Sequence, residues 1–247
     1  MFAELATFRE TVLDSARVRP ADMVADIGAG TGLLTLGAAE RAPEGDVFAI
    51  DVSVDALEEL RRISTSPNVF FLIGSADVLP LPDESLDAIV TRSVLIYVHE
   101  KNEAAREFFR TLRPGGRLSI FEPINRRNTR LADVVDFGEL HDRVAEWERA
   151  RYGDPNDPML NFDERDLEQA FADAGFTDVR TDRRATEREI PPERTLNVVG
   201  APGRLSLLAA WGKDFPPRAA EQLEAAVRAA GPIRRTWPAV YLTATKP

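Results

Sequence analysis

Between Val24 and Leu34 the chain reads VADIGAGTGLL: one carboxylate, Asp26, inside an apolar run, then three glycines at alternate positions, Gly28, Gly30 and Gly32. Glycine accepts positive φ and lets a ligand approach the backbone with no Cβ in the way. A carboxylate beside such a loop attracts a cation and repels a phosphate, so these residues suit a nucleoside cofactor that carries an amine. The rival fingerprint, G-x-G-x-x-G/A, rests a dinucleotide pyrophosphate on a helix N-terminus. Its third glycine position is here Leu33, too bulky for close helix-to-strand packing, and Asp26 opposes the pyrophosphate a second time.

The elements that must hold these residues follow from periodicity. A buried strand at 23–27 and a helix from Leu33 leave the glycines in the turn between them, with helix-start amides facing the ligand. Further strands are expected at 46–50, ending at Asp51, at 68–73, at 86–91, and at 117–121, ending at Glu122 and Pro123. Ser53 can cap the helix that carries Leu57 and Leu60, and a helix around 104–112 stops at RPGG, where Pro114 cannot continue it. Asp163 is placed as the N-cap of a helix with Leu167 and Phe171 on one face and Gly175 at its end. Strand signals return at 176–181 and 239–245. The pattern predicts an α/β fold, a doubly wound, mostly parallel seven-stranded sheet finished by an antiparallel pair.

Two stretches interrupt it, 124–162 and about 184–238. In the first, Phe137, Leu140, Val144 and Trp147 recur at spacings of three and four and predict one apolar helical face. Both stretches leave the sheet near its carboxyl edge, where ligands bind in open α/β folds. They are expected to be helical lid or substrate insertions in a single domain, 1–247, whose cofactor-binding half is 1–123.

A net charge of −10 argues against a nucleic-acid partner, and the local basic run Arg126, Arg127 and Arg130 reads as a solvated helix face. The absence of cysteine excludes disulfides, thiolate metal sites and cysteine nucleophiles. With His99 and His141 as the two imidazoles, no metal site is expected. No stretch approaches the roughly 18 apolar residues of a spanning helix, and MFAELATFRE places Glu4 and Glu10 where a signal peptide needs a basic segment and an apolar core. A cytoplasmic chain with no membrane span is the expectation, and nothing in the sequence separates a monomer from a homodimer.

Four segments in order, VADIGAGTG, AIDVS, SADVLPLPDESLDAIV and LRPGGRLSIFEP, resemble the class I S-adenosylmethionine-dependent methyltransferases. The resemblance is to the small-molecule branch that includes the ubiquinone and menaquinone C-methyltransferases, and it is strong over about 20–123. It implies a Rossmann-like sheet, S-adenosylmethionine as cofactor, and methyl transfer to an oxygen, nitrogen or carbon of a small molecule. By the same resemblance, Asp26 faces the methionine ammonium directly or through water, with the backbone of Gly28 and Arg92 completing that pocket. Ala29, Gly30 and Gly32 form the loop. Asp51 accepts from both ribose hydroxyls with Val52 beside it, and Asp77 accepts from the adenine amino group with the Ala76 amide and Val78 beside the ring. Arg92 and Ser93 lie near the sulfonium. A guanidinium there is unfavourable, so Arg92 is expected to contribute its carbonyl and turn its side chain away, or to pair with the cofactor's carboxylate.

Transfer itself is an in-line displacement, and a base is needed only where the acceptor carries a proton of high pKa. The candidate catalytic groups are His99, at the start of the helix after the fourth strand, and Glu122, which ends the fifth strand and reads either as orienting an acceptor or as bonding to neighbouring backbone. His99 reads equally as a cap or surface residue. Tyr97, Phe137, His141 and Trp147 are the candidate acceptor contacts. The aromatic content of the insertions, Tyr152, Phe162, Trp211 and Phe215 included, points to a partly apolar or aromatic acceptor. Arsenite and cytosine-C5 methyltransferases require thiolates, and adenine-type DNA enzymes carry an Asn/Asp-Pro-Pro-aromatic motif where this chain reads TRSVLIY. The alternatives are a cofactor-binding protein of the same fold with non-methylating catalysis or a regulatory role, and, disfavoured by Leu33 and Asp26, a nicotinamide-dependent reductase.

Overall fold

Parallel strands need crossovers long enough to hold a helix, and the chain alternates accordingly. The computed structural model describes residues 2–199 and 203–247. It runs α1 (Phe2–Ala16), β1 (Val24–Ile27), α2 (Leu33–Arg41), β2 (Val47–Asp51), α3 (Val54–Ile63), β3 (Val69–Ile73), β4 (Leu86–Arg92), α4 (Lys101–Thr111) and β5 (Leu112–Pro123). Then follow α5 (His141–Tyr152), α6 (Glu164–Asp173), β6 (Thr177–Ile190), α7 (Pro192–Asn197), α8 (Leu207–Asp214), α9 (Pro217–Ala230) and β7 (Ile233–Thr245). The strands form one seven-stranded sheet in the order β3-β2-β1-β4-β5-β7-β6. From β3 to β5 the pairings are parallel, and β7 returns antiparallel to β5. This is the doubly wound sheet that the alternation of signals predicts.

By its contacts the chain divides into two compact units: Met1–Ile124 with Asn156–Arg184 and Ala239–Pro247, and Asn125–Pro155 with Ala185–Pro238. In the first, the central strands are apolar on both sides because both sides are covered. Ala25, Ile27 and Ile89 pack into one core with Phe108 of α4 and Phe171 of α6. Val24, Ala88 and Val90 face the opposite core, with Leu13 of α1, Ala38 of α2 and Leu60 of α3. Caps fix two of the helices: Ser53 Oγ accepts from the Ala56 amide, and Asp163 forms a capping box with Asp166. The second unit has a core of its own, in which Trp211 and Leu223 are fully buried and Phe137 meets Trp211 edge-on at 5.9 Å.

Several boundaries differ from the sequence expectations. β5 begins at Leu112, because Leu86 pairs with Leu112 and a register shift absorbs the Pro-Gly-Gly segment before pairing resumes at Arg117. His99 lies ahead of α4, whose N-cap is Glu100. Phe137 and Leu140 do share a core with Val144 and Trp147, but not one α-helix. Gly138 has φ +56°, which no α-helix accommodates, so a 3-10 turn at Gly138–Leu140 precedes α5. β6 and β7 are longer than 176–181 and 239–245, since Ala185–Ile190 reads ATEREI, a charged stretch with no apolar alternation to announce a strand. Among the described residues no helix is long and apolar enough to cross a membrane, and no group of three or more His, Cys, Asp or Glu is placed to hold a metal ion.

Candidate cofactor site

The carboxyl edge of the first unit's sheet gathers the loop residues. Gly28 and Ala29 both donate their amides to the Ile50 carbonyl, at 2.7 and 3.0 Å, which ties the loop to the end of β2. Gly30 donates its amide to Asp51 Oδ2 at 2.8 Å, and Asp51 Oδ1 accepts from the Ser53 amide at 2.8 Å. The carboxylate is thus held in place at the edge while keeping lone pairs for a ligand. Gly28 and Gly30 both have positive φ, +70° and +52°, but they serve different ends. A Cβ on Gly28 would stand 2.1 Å from Val94 Cγ2, whereas one on Gly30 would meet nothing within 4 Å. Gly28 makes room for the protein and Gly30 leaves room for something else.

That difference predicts opposite mutant behaviour. Gly28→Ala should cost about 2–5 kcal/mol of stability, overpacking added to a left-handed alanine. Gly30→Ala should cost only about 1 kcal/mol and yet weaken cofactor binding about tenfold or more. Thermal unfolding paired with cofactor titration checks both. A Gly30→Ala protein that binds as tightly as the parent would mean the open face at Gly30 is not where the cofactor lies.

Asp26 sits below this loop, 2% exposed, with Oδ2 accepting from the buried Thr35 hydroxyl at 2.6 Å. Burial pushes its carboxyl up to about 7, against the opposing hydrogen bond from Thr35 and with a further push from the negative Asp51. A buried carboxylate at its titration point suits a cationic partner, which would restore its charge. The adjoining edge is apolar and open. Ile73 pairs with Asp51 across β3 and β2, and Val52, Ile73 and Val78 are 70%, 63% and 70% exposed. Exposed aliphatic side chains clustered beside a fixed carboxylate suit the faces of a purine. The Val78 amide closes a turn onto the Ser75 carbonyl at 3.1 Å, Ser75 Oγ donates to Asp77, and Ala76 is buried. A buried carboxylate at Asp26, a second one fixed at Asp51 and an exposed aliphatic rim suit S-adenosylmethionine.

β4 ends in an elbow. Ser93 has φ +56°, a conformation uncommon for a residue with a Cβ, and its amide donates to the Phe121 carbonyl at 2.8 Å. The Arg92 guanidinium lies over the rings of Phe8 and Phe121, at 5.6 and 5.8 Å. Beyond the elbow, Glu122 is fully buried, and its carboxylate accepts from three successive amides, Val94 at 2.8 Å, Leu95 at 2.9 Å and Ile96 at 3.2 Å. Burial raises its carboxyl to about 7 against those hydrogen bonds and the nearby Lys101 charge. Lys101 is itself enclosed by the Val98 and Pro158 carbonyls, Asn161 Oδ1 and the Phe162 ring. Tyr97, 54% exposed, and His99, also exposed, follow the elbow.

The other candidate acceptor contacts fall in the second unit. Phe137 is part of its core, Trp147 packs on Phe215 at 6.0 Å and donates its indole N–H to Asp214 at 2.9 Å, and His141, half-buried, opens α5. Sequence reasoning passes over Thr35, Val94 and Lys101. Thr35 does carry a signal, a hydroxyl on the buried face of the helix that follows the loop; the other two are recognisable only from the fold.

The sheet order defines a doubly wound α/β protein, and its carboxyl edge suits a nucleoside cofactor bearing an ammonium group. A family model, methyltransferase domain, matches residues 25–120. The ubiquinone/menaquinone biosynthesis C-methyltransferase of Yersinia pestis (strain Pestoides F) is 32% identical over 186 residues, which are 70% of this chain and 73% of that protein. Among solved structures, a candidate methyltransferase of Bacillus halodurans C-125 superposes with a TM-score of 0.65 at 17% identity, covering 98% of this chain and 99% of that one. Haemonchus contortus phosphoethanolamine N-methyltransferase 2, solved with phosphomonomethylethanolamine and S-adenosylhomocysteine, gives a TM-score of 0.59 at 16% identity, covering 98% of this chain and 52% of that one. The chain belongs to the class I S-adenosylmethionine-dependent methyltransferases. Its cofactor is S-adenosylmethionine.

Proposed function

We propose that the chain methylates a small, partly apolar or aromatic molecule. The observation that carries this reading is the exposed rim of the first unit's sheet: Val52, Ile73 and Val78 for the nucleoside, and Tyr97 beyond the elbow for the acceptor. The name of the Yersinia relative, a quinone-biosynthesis C-methyltransferase, supports an aromatic acceptor. When bound, S-adenosylmethionine supplies an electrophilic methyl group and leaves as a neutral thioether. The chain then has to hold the acceptor about 3 Å from that methyl, a service that provides much of the acceleration by itself. Asp51 and Asp77 orient the nucleoside, and Asp26 holds the ammonium. His99 is the imidazole free to take a proton from the acceptor where there is one to lose. Glu122, its oxygens committed to three amides, positions the elbow instead.

Thermal unfolding with S-adenosylmethionine, S-adenosylhomocysteine and NAD, followed by mass spectrometry of a panel of phenols, quinols and amines, tests the reading. S-adenosylmethionine at about 100 times its Kd should add about 2.7 kcal/mol of stability, and a product heavier by one methylene should form. Stabilisation by S-adenosylmethionine with no methylated product across the panel would favour non-methylating catalysis. His99→Ala should lower turnover about 10²–10⁴-fold on an acceptor that must lose a proton, with cofactor binding unchanged; equal turnover would remove the base.

A further inference from the structure

The basic run after β5, which reads in sequence as a solvated face, is folded around a cleft. Arg126, in the short turn Asn125–Arg127, Arg130, and Arg149 and Tyr152 in the last turn of α5 line a recess of about 360 Å³ in the second unit. Three features make it a receptor surface and not loose arginines. The Arg130 guanidinium is fixed from two sides, stacked 4.5 Å over the Tyr152 ring and donating to the Arg126 carbonyl at 3.0 Å, and neither contact cancels its charge. Arg126 and Arg149 have no carboxylate partner among the described residues. The two carboxylates of the lining bond to backbone amides and keep their charge, but the three guanidiniums outnumber them: Glu148, 2% exposed, accepts from the Leu131 and Ala132 amides at 2.9 Å each, and Asp133 Oδ2 accepts from the Arg130 amide at 3.2 Å. Ala132 and Ala145 keep the floor open. Arg235 donates to the Thr129 carbonyl at 3.1 Å, and its largely buried charge feels Arg130, Tyr152 and Glu148, all three of which line the recess.

We propose that this cleft binds a phosphate or diphosphate group of a small molecule, through Arg126, Arg130 and Arg149. Guanidinium forks match phosphate oxygens in pairs, and three of them around one recess suit a polyvalent tetrahedral anion better than a two-oxygen carboxylate. A recess of that volume has room for such a group together with part of the small molecule that carries it. With a net charge of −10 the chain as a whole repels a polyanion, so a nucleic acid is disfavoured as the occupant.

The full chain is titrated with inorganic phosphate, inorganic pyrophosphate and phenyl phosphate at fixed ionic strength, by calorimetry and thermal unfolding. Pyrophosphate is expected to bind and to raise the melting temperature. Arg149→Glu, an exposed change, is expected to weaken that binding about tenfold or more, Arg149→Gln to weaken it less, and both to bind S-adenosylmethionine as the parent does. Tighter binding of phenyl phosphate than of inorganic phosphate assigns the cleft to an ester, and the reverse to the free ion. Equal pyrophosphate binding by parent and both variants, or a shift reproduced by chloride alone, overturns the site. A short duplex or single-stranded RNA that binds and displaces pyrophosphate overturns the single-group assignment. Because the S-adenosylmethionine arm is read separately, failure here is distinguishable from failure of the methyltransferase reading.

Discussion

Asp26→Asn is expected to weaken S-adenosylmethionine binding about 100-fold at pH 8 and only about tenfold at pH 6. In the proposed pairing of Asp26 with the cofactor's ammonium, removing the carboxylate leaves the cation uncompensated, which accounts for the size of the loss at high pH. Its pH dependence comes from the protein alone. With its carboxyl raised to about 7 by burial, Asp26 is ionised at pH 8 and mostly protonated at pH 6. An ammonium must then displace that proton, so the parent's Kd rises about tenfold across the interval. Asparagine has no proton to lose, and the variant's affinity should be flat. Calorimetry at both pH values decides it: a parent affinity independent of pH, or a variant that binds like the parent at pH 8, would reduce Asp26 to a structural acceptor for Thr35.

The same substitution should not harm the fold. The Asp26 carboxyl goes from an ordinary 3.8 to about 7, and that of Glu122 from 4.5 to about 7. Each therefore binds its proton more tightly in the folded chain than in the unfolded one. Their contribution to stability is full below the ordinary carboxylate range and is lost as pH climbs to about 7. For Asp26, at about 1.4 kcal/mol per pKa unit, the loss is on the order of 4 kcal/mol. Urea unfolding should accordingly show the parent less stable at pH 8 than at pH 5, with Asp26→Asn at least as stable as the parent at pH 8. A cofactor site that is costly without its ligand is the usual trade of stability for function.

The sheet was legible because its strands are covered on both faces: runs such as LDAIVT have no other stable use. Ser53 and Asp163 were legible as caps because a cap is a local device, satisfied within three residues. The glycine loop could be read as open backbone, but not the division of labour between Gly28 and Gly30, which depends on Val94, a residue more than sixty positions away. Outer strand segments were missed for the complementary reason. Half-exposed charged residues in β6 carry no apolar period, and only their pairing makes them strand. Glu122 is the clearest case of an ambiguous residue. A carboxylate ending a strand at the ligand edge reads from sequence either as orienting an acceptor or as bonding to backbone, and what decides it is three amides assembled by a turn 26 to 28 positions earlier in the chain.

Glu122→Ala is expected to lower stability by about 3–5 kcal/mol and to abolish measurable cofactor binding together with it. Three amide groups would be left without an acceptor, two of them on fully or nearly fully buried residues, Leu95 and Ile96. Each unsatisfied buried group costs about 1–3 kcal/mol, partly recovered by relaxation. The damage reaches the cofactor loop by contact. Ser93 holds a left-handed conformation that the surrounding hydrogen bonds must maintain, and Val94, the next residue, stands against Gly28. Loss of the carboxylate frees Val94 to move into the space the loop requires. Glu122→Gln separates positioning from catalysis. Its carbonyl can keep the Val94 and Leu95 bonds that Oε1 accepts, while its NH₂ faces the Ile96 amide and loses that one. A positioning residue then gives intermediate stability and intermediate cofactor affinity, the two falling together, with unchanged turnover per bound cofactor. A general base would give the opposite result, parental stability and binding with turnover lost.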